Sequence, residues 1–226
     1  ISSEKISVGP PFYNKLIIPF LIPFLFAMAI GPKLKWVKSD LQNKFYLILF
    51  LIISLLLSLA IVKGLNVNFF VNTILVASAF YLFFMSLRDF FNKHKNLSQN
   101  IAHFGFSLLI LSILFNNIFS TEIITNLKIG ETFENKKFKI NFESIEQKEE
   151  QNFRAIIGKF NIENLKGNVE ILKPELRIYN QPNIVTSEAD IKTNFLTDKF
   201  ITMNLVQNQD YFNIRYQIKP FMIWIW

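Results

Sequence analysis

Four long stretches without a charged side chain fill the first half of the chain, and short alternating stretches fill the second. Leu16–Pro32, Phe45–Val62, Gly64–Leu87 and Asn96–Thr121 run for 17, 18, 24 and 26 residues between charged neighbours. A helix that crosses the hydrocarbon core of a bilayer needs about 20 largely apolar residues. The pattern therefore predicts membrane helices over about 16–32, 45–62, 67–87 and 99–119. The first run carries Pro19 and Pro23, and each removes a backbone donor. It reads either as a bent span or as a re-entrant or interfacial segment.

From about Thr121 the period changes. Phe138-Lys139-Ile140-Asn141-Phe142-Glu143-Ser144-Ile145, Arg177-Ile178-Tyr179 and Phe212-Asn213-Ile214-Arg215-Tyr216-Gln217-Ile218 alternate apolar and polar residues. Gly130, Gly158, Gly167, Pro174 and Pro182 punctuate them. Alternation of period two between such breakers predicts short antiparallel strands. The expected fold is a membrane α-helical part of about four spans, the start of a fifth, and a small extracytoplasmic all-β domain, sandwich or barrel-like. The expected segments are an extracytoplasmic stretch 1–14, a helical domain 15–120, a β domain 121–219, and a truncated final helix beginning at 220–226. The end of the chain, Phe221-Met222-Ile223-Trp224-Ile225-Trp226, reads as the onset of that span or as a last strand with exposed aromatics. The chain starts on Ile1 rather than Met, so it is expected to be a fragment cut at both ends.

Charge gives these spans a direction. Residues 1–120 hold ten Lys/Arg against three acids, which is the whole net charge of +7. The loop after the first span and the loop 88–96 hold most of that excess, whereas Lys63-Gly64-Leu65-Asn66 holds one Lys. The positive-inside rule puts the first two loops in the cytoplasm or its organellar equivalent. The N-terminal segment and everything after the fourth span then lie outside. Such loop charges are not a basic face for nucleic acid, which needs Lys and Arg clustered on a folded surface. The chain has no cysteine, which excludes a disulfide framework, a thiolate nucleophile and Cys-ligated metal sites.

Two histidines remain as metal-capable side chains, His94 and His103. His94 sits among Lys93 and Lys95 and reads as a solvated loop residue. His103, in Ile101-Ala102-His103-Phe104-Gly105, heads the fourth apolar run. An ionisable side chain at membrane depth is a functional candidate, and imidazole suits haem iron. On one helix the two would lie about 13.5 Å apart and half a turn out of phase, so they cannot share one metal. Phe104 and Phe106 offer an apolar wall, and Gly105 would admit a neighbouring helix. The structural alternative is an interfacial histidine bonded to a backbone carbonyl or a lipid headgroup. In the β domain Arg177 reads as a strand-edge residue, or as a partner for a carboxylate or a haem propionate.

Five motifs in order resemble one family. Ile6-Ser7-Val8-Gly9-Pro10-Pro11-Phe12-Tyr13-Asn14 comes first, then Gly31-Pro32 with Trp36, then Ala102-His103-Phe104-Gly105. Pro174-Glu175-Leu176-Arg177-Ile178-Tyr179 follows, and Tyr216, Lys219-Pro220-Phe221 and Trp224-Ile225-Trp226 close the series. This pattern resembles the C-terminal part of the CcmF family of cytochrome c-type biogenesis proteins, haem lyase subunits of system I maturation. The resemblance implies that His103 is one of two transmembrane histidines that hold a haem b. The second axial ligand, a Trp-rich outer loop and two outer-face histidines would lie upstream of this chain. It implies a role in reducing haem and joining it, delivered by a haem chaperone, to the Cys-x-x-Cys-His thiols of apocytochrome c. Other maturation subunits are the expected partners, and quinol a candidate electron donor. The implied location is a bacterial inner membrane with the β domain periplasmic, or a mitochondrial inner membrane. The Lys-, Asn-, Ile- and Phe-rich composition fits an AT-rich genome of either origin. A permease-type subunit or a membrane scaffold, neither binding haem, would have the same topology.

Overall fold

The computed structural model describes residues 10–34, 45–64, 68–91, 97–165, 167–206 and 210–226. The chain divides into two compact units, Ile1–Leu114 and Phe115–Trp226. His94, Trp36 and the first nine residues lie outside the described residues.

The first unit is built from helices. These are α1 (Pro10–Ile30), running into a 3-10 turn (Gly31–Lys33), then α2 (Phe45–Val62), α3 (Phe69–Phe91) and the start of α4 (Leu97–Phe119). All four are long and apolar enough to cross a membrane. α1 stays helical through Pro19 and Pro23. α3 runs past the expected end at Leu87 and takes Arg88 and Asp89 into its last turn, because both charges find partners there, as described below. α3 is also the hub. Of its apolar stretch 56% is buried, against 11% in α1 and 17% in each of α2 and α4.

The helix contacts use small hydroxyl residues. Ser54, Ser58, Thr73, Ser78, Ser86, Ser107 and Ser112 are all buried. Small side chains let helix backbones approach where lipid removes any hydrophobic drive to associate. Each hydroxyl must be bonded in such surroundings. Ser58 Oγ donates across to the Thr73 carbonyl at 2.6 Å, and Thr73 Oγ1 donates to the Phe69 carbonyl one turn back at 2.6 Å.

The second unit carries ten strands: β1 (Thr121–Leu127), β2 (Thr132–Glu134), β3 (Phe138–Glu149), β4 (Phe153–Asn164), β5 (Val169–Leu172), β6 (Glu175–Asn180), β7 (Asn183–Glu188), β8 (Asp190–Thr193), β9 (Thr197–Leu205) and β10 (Phe212–Pro220). They form two antiparallel sheets, one in the order β1-β10-β9-β8 and one in the order β2-β3-β4-β6-β7, with β5 also on β4. The inward positions of both sheets make one core, in which Phe138, Ile140, Phe142, Phe160, Leu176, Ile201, Met203, Ile214 and Tyr216 are buried together. Phe142 stacks on Phe160 with centroids 4.4 Å apart, and Phe138 meets Tyr216 edge-on at 5.0 Å. Burial pushes the Tyr216 phenol above its usual range, since ionising it there would strand a charge in an apolar core. Past Pro220 the backbone takes a 3-10 turn, Met222–Trp224.

Candidate functional site

His103 lies in the second turn of α4, half-exposed. Its place on the helix follows from its neighbours. Residues at i−3 and i+4 share its face, and both look toward α3. Asn100 Nδ2 donates to the Asp89 carbonyl at 2.9 Å, and the Ser107 hydroxyl lies 3.4 Å from that of Ser86. Phe104 packs on Phe83 and Phe90 of the same helix, with ring centroids 5.5 and 6.0 Å away. On the other flank Phe106 meets Phe24 of α1 edge-on at 6.2 Å. His103 therefore projects between the α3-facing and α1-facing sides of α4. Its imidazole has no hydrogen-bond or ion-pair partner among the described residues. Phe104 and Phe106 are thus engaged with α3 and α1 on the two flanks of the helix. Beside Gly105, among the described residues and apart from its own helix backbone, no atom lies within 4 Å of where a Cβ would be, so that side of α4 is open to a neighbour.

A polar cluster fixes this end of the helices. Lys33 Nζ donates to Asp89 Oδ2 at 2.5 Å, with the Lys33 side chain only 11% exposed. Arg88 Nη1 lies 3.7 Å from the other Asp89 oxygen, and its guanidinium covers the Tyr46 ring at 3.6 Å from the centroid. Asn100, bonded to the Asp89 carbonyl, serves one of the last α3 carbonyls, which have no partner within the helix. Asp89 thereby joins α1, α3 and α4, and Arg88 ties in α2. Sequence reasoning read Lys33 and Arg88 as loop charges and passed over Asn100. The available signal was Asp89, an acid beside an otherwise basic membrane border.

These residues do not make a self-sufficient metal centre. Among the described residues, no three His, Cys, Asp or Glu side chains gather as metal ligands. One axial imidazole with apolar flanks suits one face of a haem, which takes its ligands singly from opposite sides.

Arg177 is occupied. Its Nε and Nη2 both reach Glu175 Oε2 at 3.0 Å, and its guanidinium lies 5.1 Å over the Phe153 ring. The Glu175 carboxylate raises its already high pKa. The Glu175 carboxylate is its ion-pair partner among the described residues.

Comparison with known proteins places this fold. Residues 118–220 match the family model described as the CcmF C-terminal beta-sandwich. The cytochrome c-type biogenesis protein CcmF of Pseudomonas fluorescens is 27% identical over 246 residues, an alignment that takes in 100% of this chain and 36% of that protein. The protein ccl1 of Rhodobacter capsulatus is 25% identical over 99% of this chain, and CcmF of Escherichia coli 23% identical over 98%; each is covered over 36% of its own length. A solved structure titled cytochrome c heme lyase CcmF superposes with a TM-score of 0.74 at 19% identity, covering 96% of this chain and 38% of that one. That likeness is one of fold. The chain spans little more than a third of these relatives. On the matched sandwich, the helices before it and the relatives that run its whole length, the chain is similar to the C-terminal part of CcmF-type cytochrome c-type biogenesis proteins.

Proposed function

We propose that this chain is part of a cytochrome c haem lyase in which His103 supplies one axial ligand to a haem b within the membrane. The observation that carries this reading is a half-exposed imidazole without a hydrogen-bond partner among the described residues, set between Phe104 and Phe106 at the head of an apolar helix. A free ring nitrogen at that depth is costly unless something coordinates or bonds it. In this reading the opposite ligand comes from outside this chain.

The work of this chain's residues is positional. Asn100 and Ser107 hold the two turns that flank His103 against α3, and Lys33 and Asp89 hold α1 to the same end. A haem held there would relay electrons, with quinol as their source, so that the haem being attached is ferrous. Its thioether bonds form to the two thiols of an apocytochrome Cys-x-x-Cys-His segment, which a chain without cysteine leaves to the substrate. In this reading the β domain lies on the outer side, where a haem chaperone, the apocytochrome and other maturation subunits meet it.

The test uses the full-length protein in detergent. A reduced-minus-oxidised spectrum should show a b-type haem that His103→Ala removes while the protein still folds. An unchanged spectrum in the variant overturns the ligand role. Purification without haem but with an ATPase subunit would favour a permease. Single cysteines at Lys38 and Leu165 should label from opposite sides of the membrane; labelling from one side overturns the topology.

A further inference from the structure

The turn between β8 and β9 has the wrong residues for water. Asn194 N donates to the Thr197 carbonyl at 2.9 Å, which closes a tight turn with Phe195 and Leu196 at its apex. Apices of this kind are normally Gly, Pro, Asn, Asp or Ser, and other connections in the domain follow that habit: Asn135-Lys136-Lys137, Glu150-Gln151-Asn152 and Asn180-Gln181-Pro182. Phe195 is instead 68% exposed and Leu196 54%.

The apex is tied to the end of a helix apolar enough to cross the membrane. Phe221 N donates to the Leu196 carbonyl at 2.7 Å, and the Phe221 ring rests on Phe115 of α4 at 5.3 Å. Asn116 Nδ2 donates to the Pro220 carbonyl at 2.8 Å and approaches the Met222 sulfur at 3.7 Å. Trp224 Nε1 donates to the Phe195 carbonyl at 3.1 Å, and the two rings meet edge-on at 4.9 Å. Phe221 takes a left-handed backbone conformation, φ 58°, which is uncommon for a bulky residue. The turn it makes sets Met222–Trp224 beside the hairpin apex.

We infer that Phe195, Leu196, Ile223 and Trp224 form a lipid-contacting foot, seated in the bilayer leaflet from which α4 emerges. Level is the reason for choosing lipid over a protein partner. Phe115 and Asn116 lie one turn inside the end of α4, and a turn rises about 5.4 Å. The headgroup zone adds only about 5–7 Å to each side of the hydrocarbon core, so groups bonded directly to those residues remain within it. The chemistry agrees. The apex carries no charge, and Trp224, an amphipathic ring of the type enriched at membrane interfaces, already has its N–H satisfied by the chain. The foot is independent of haem and rests on α4 crossing the bilayer.

The absence of cysteine makes the test direct. Nitroxide labels are placed singly at Leu196, at Leu165 on the β4–β5 turn, and at Ile113 in α4, with the full chain in phosphatidylethanolamine–phosphatidylglycerol nanodiscs. All three residues are exposed, so labelling leaves the core intact. Collision with oxygen should exceed collision with a water-soluble nickel chelate at Leu196 and Ile113, with the order reversed at Leu165. A chelate-accessible Leu196 beside a lipid-exposed Ile113 overturns the foot alone. Chelate access at both overturns the foot together with the spanning of α4. Shielding of Leu196 that develops only when other maturation proteins are added also overturns it, since the surface then belongs to a protein.

Discussion

In the helices the buried polar side chains are serines and a threonine, packed beside Leu25, Leu75, Leu82 and Met85, while Phe20, Phe45, Phe70 and Leu56 are more than 60% exposed. In the β domain the inside is Phe142, Phe160, Ile201, Met203 and Ile214, each fully buried, and Asp198 is the buried charged residue among those described. One chain thus sorts its side chains by two different rules, because its parts are built for different solvents. In water, apolar area is driven inward at about 25 cal/mol per Å². In lipid that drive vanishes, so large apolar side chains lie both inside and outside, and small bonded hydroxyls share the helix contacts with them.

The sharpest way to break this contrast is to cut the same side chain in both places. Phe160→Ala empties the centre of the sandwich and should cost about 3–5 kcal/mol. Phe20→Ala, on a residue 72% exposed, should leave stability in a bilayer nearly unchanged. Thermal unfolding in nanodiscs, read by far-UV dichroism and by protease resistance of the β domain, checks both. Equal losses would mean that α1 buries Phe20 against protein.

Overfilling is the next test. Gly158 has no room for a side chain: a Cβ there would fall 2.7 Å from the Phe160 ring and 2.8 Å from the Met203 sulfur. Gly158→Ala should therefore cost about 1–3 kcal/mol by forcing that contact apart. Met203→Leu should not relieve it, because the ring remains. Gly105→Ala, with nothing near its Cβ, is the matched control in the helices and should be tolerated.

How far these parts could be read from sequence follows from the same sorting rules. Uniform apolar runs marked the four apolar helices, since such a helix declares itself by length, although α1 starts at Pro10, well before the run that announced it. Alternation marked β3, β6 and β10, where one face meets the core. Period-two reasoning singled out none of β1, β4, β5, β7 or β9, nor β2, at three residues too short for a pattern, nor β8, whose residues are mostly exposed. His103 stood out because an imidazole at the head of an apolar run is rare. Asn100 did not, because a polar residue near a helix end is ordinary until its partner, the Asp89 carbonyl, is seen. The hub role of α3 was equally hidden: its composition resembles that of α4, and only packing shows which helix is central.

The serine contacts give a smaller effect. Ser58→Ala removes the bond to the Thr73 carbonyl but keeps a small residue between α2 and α3, and should cost about 0.6 kcal/mol, the average for hydrogen bonds between membrane helices. Ser58→Leu should cost more, because it pushes the helices apart. If Ala proved the worse of the two, the hydroxyl rather than the small volume would be holding the pair. Steric-trapping or mild-detergent unfolding of the reconstituted chain resolves the order.

The smallest effect concerns how the β3–β4 register is kept. The pairing slips between Phe142 and Ser144, so Glu143 bulges out with no partner across the ladder. Its carboxylate instead takes Lys159 Nζ at 2.9 Å and Asn161 Nδ2 at 2.7 Å, the residues on either side of the core Phe160. A bulge held this way resists the one-residue slip that would turn Phe160 outward. Lys159 first and Asn161 second hold the Glu143 carboxyl below the usual carboxylate range. A carboxyl with a lowered folded pKa binds protons more tightly in the unfolded chain. Its contribution is complete above the unfolded value and is lost as pH falls through the folded one. The domain should therefore lose a small part of its thermal stability on acidification below the usual carboxylate range. Glu143→Gln should lower the midpoint slightly at neutral pH and flatten that part of the acid decline, because it cannot titrate. Salt should shrink the difference, since the site is exposed. A variant whose acid decline matches the parent would show that the bulge is fixed by the Phe142–Phe160 stack alone.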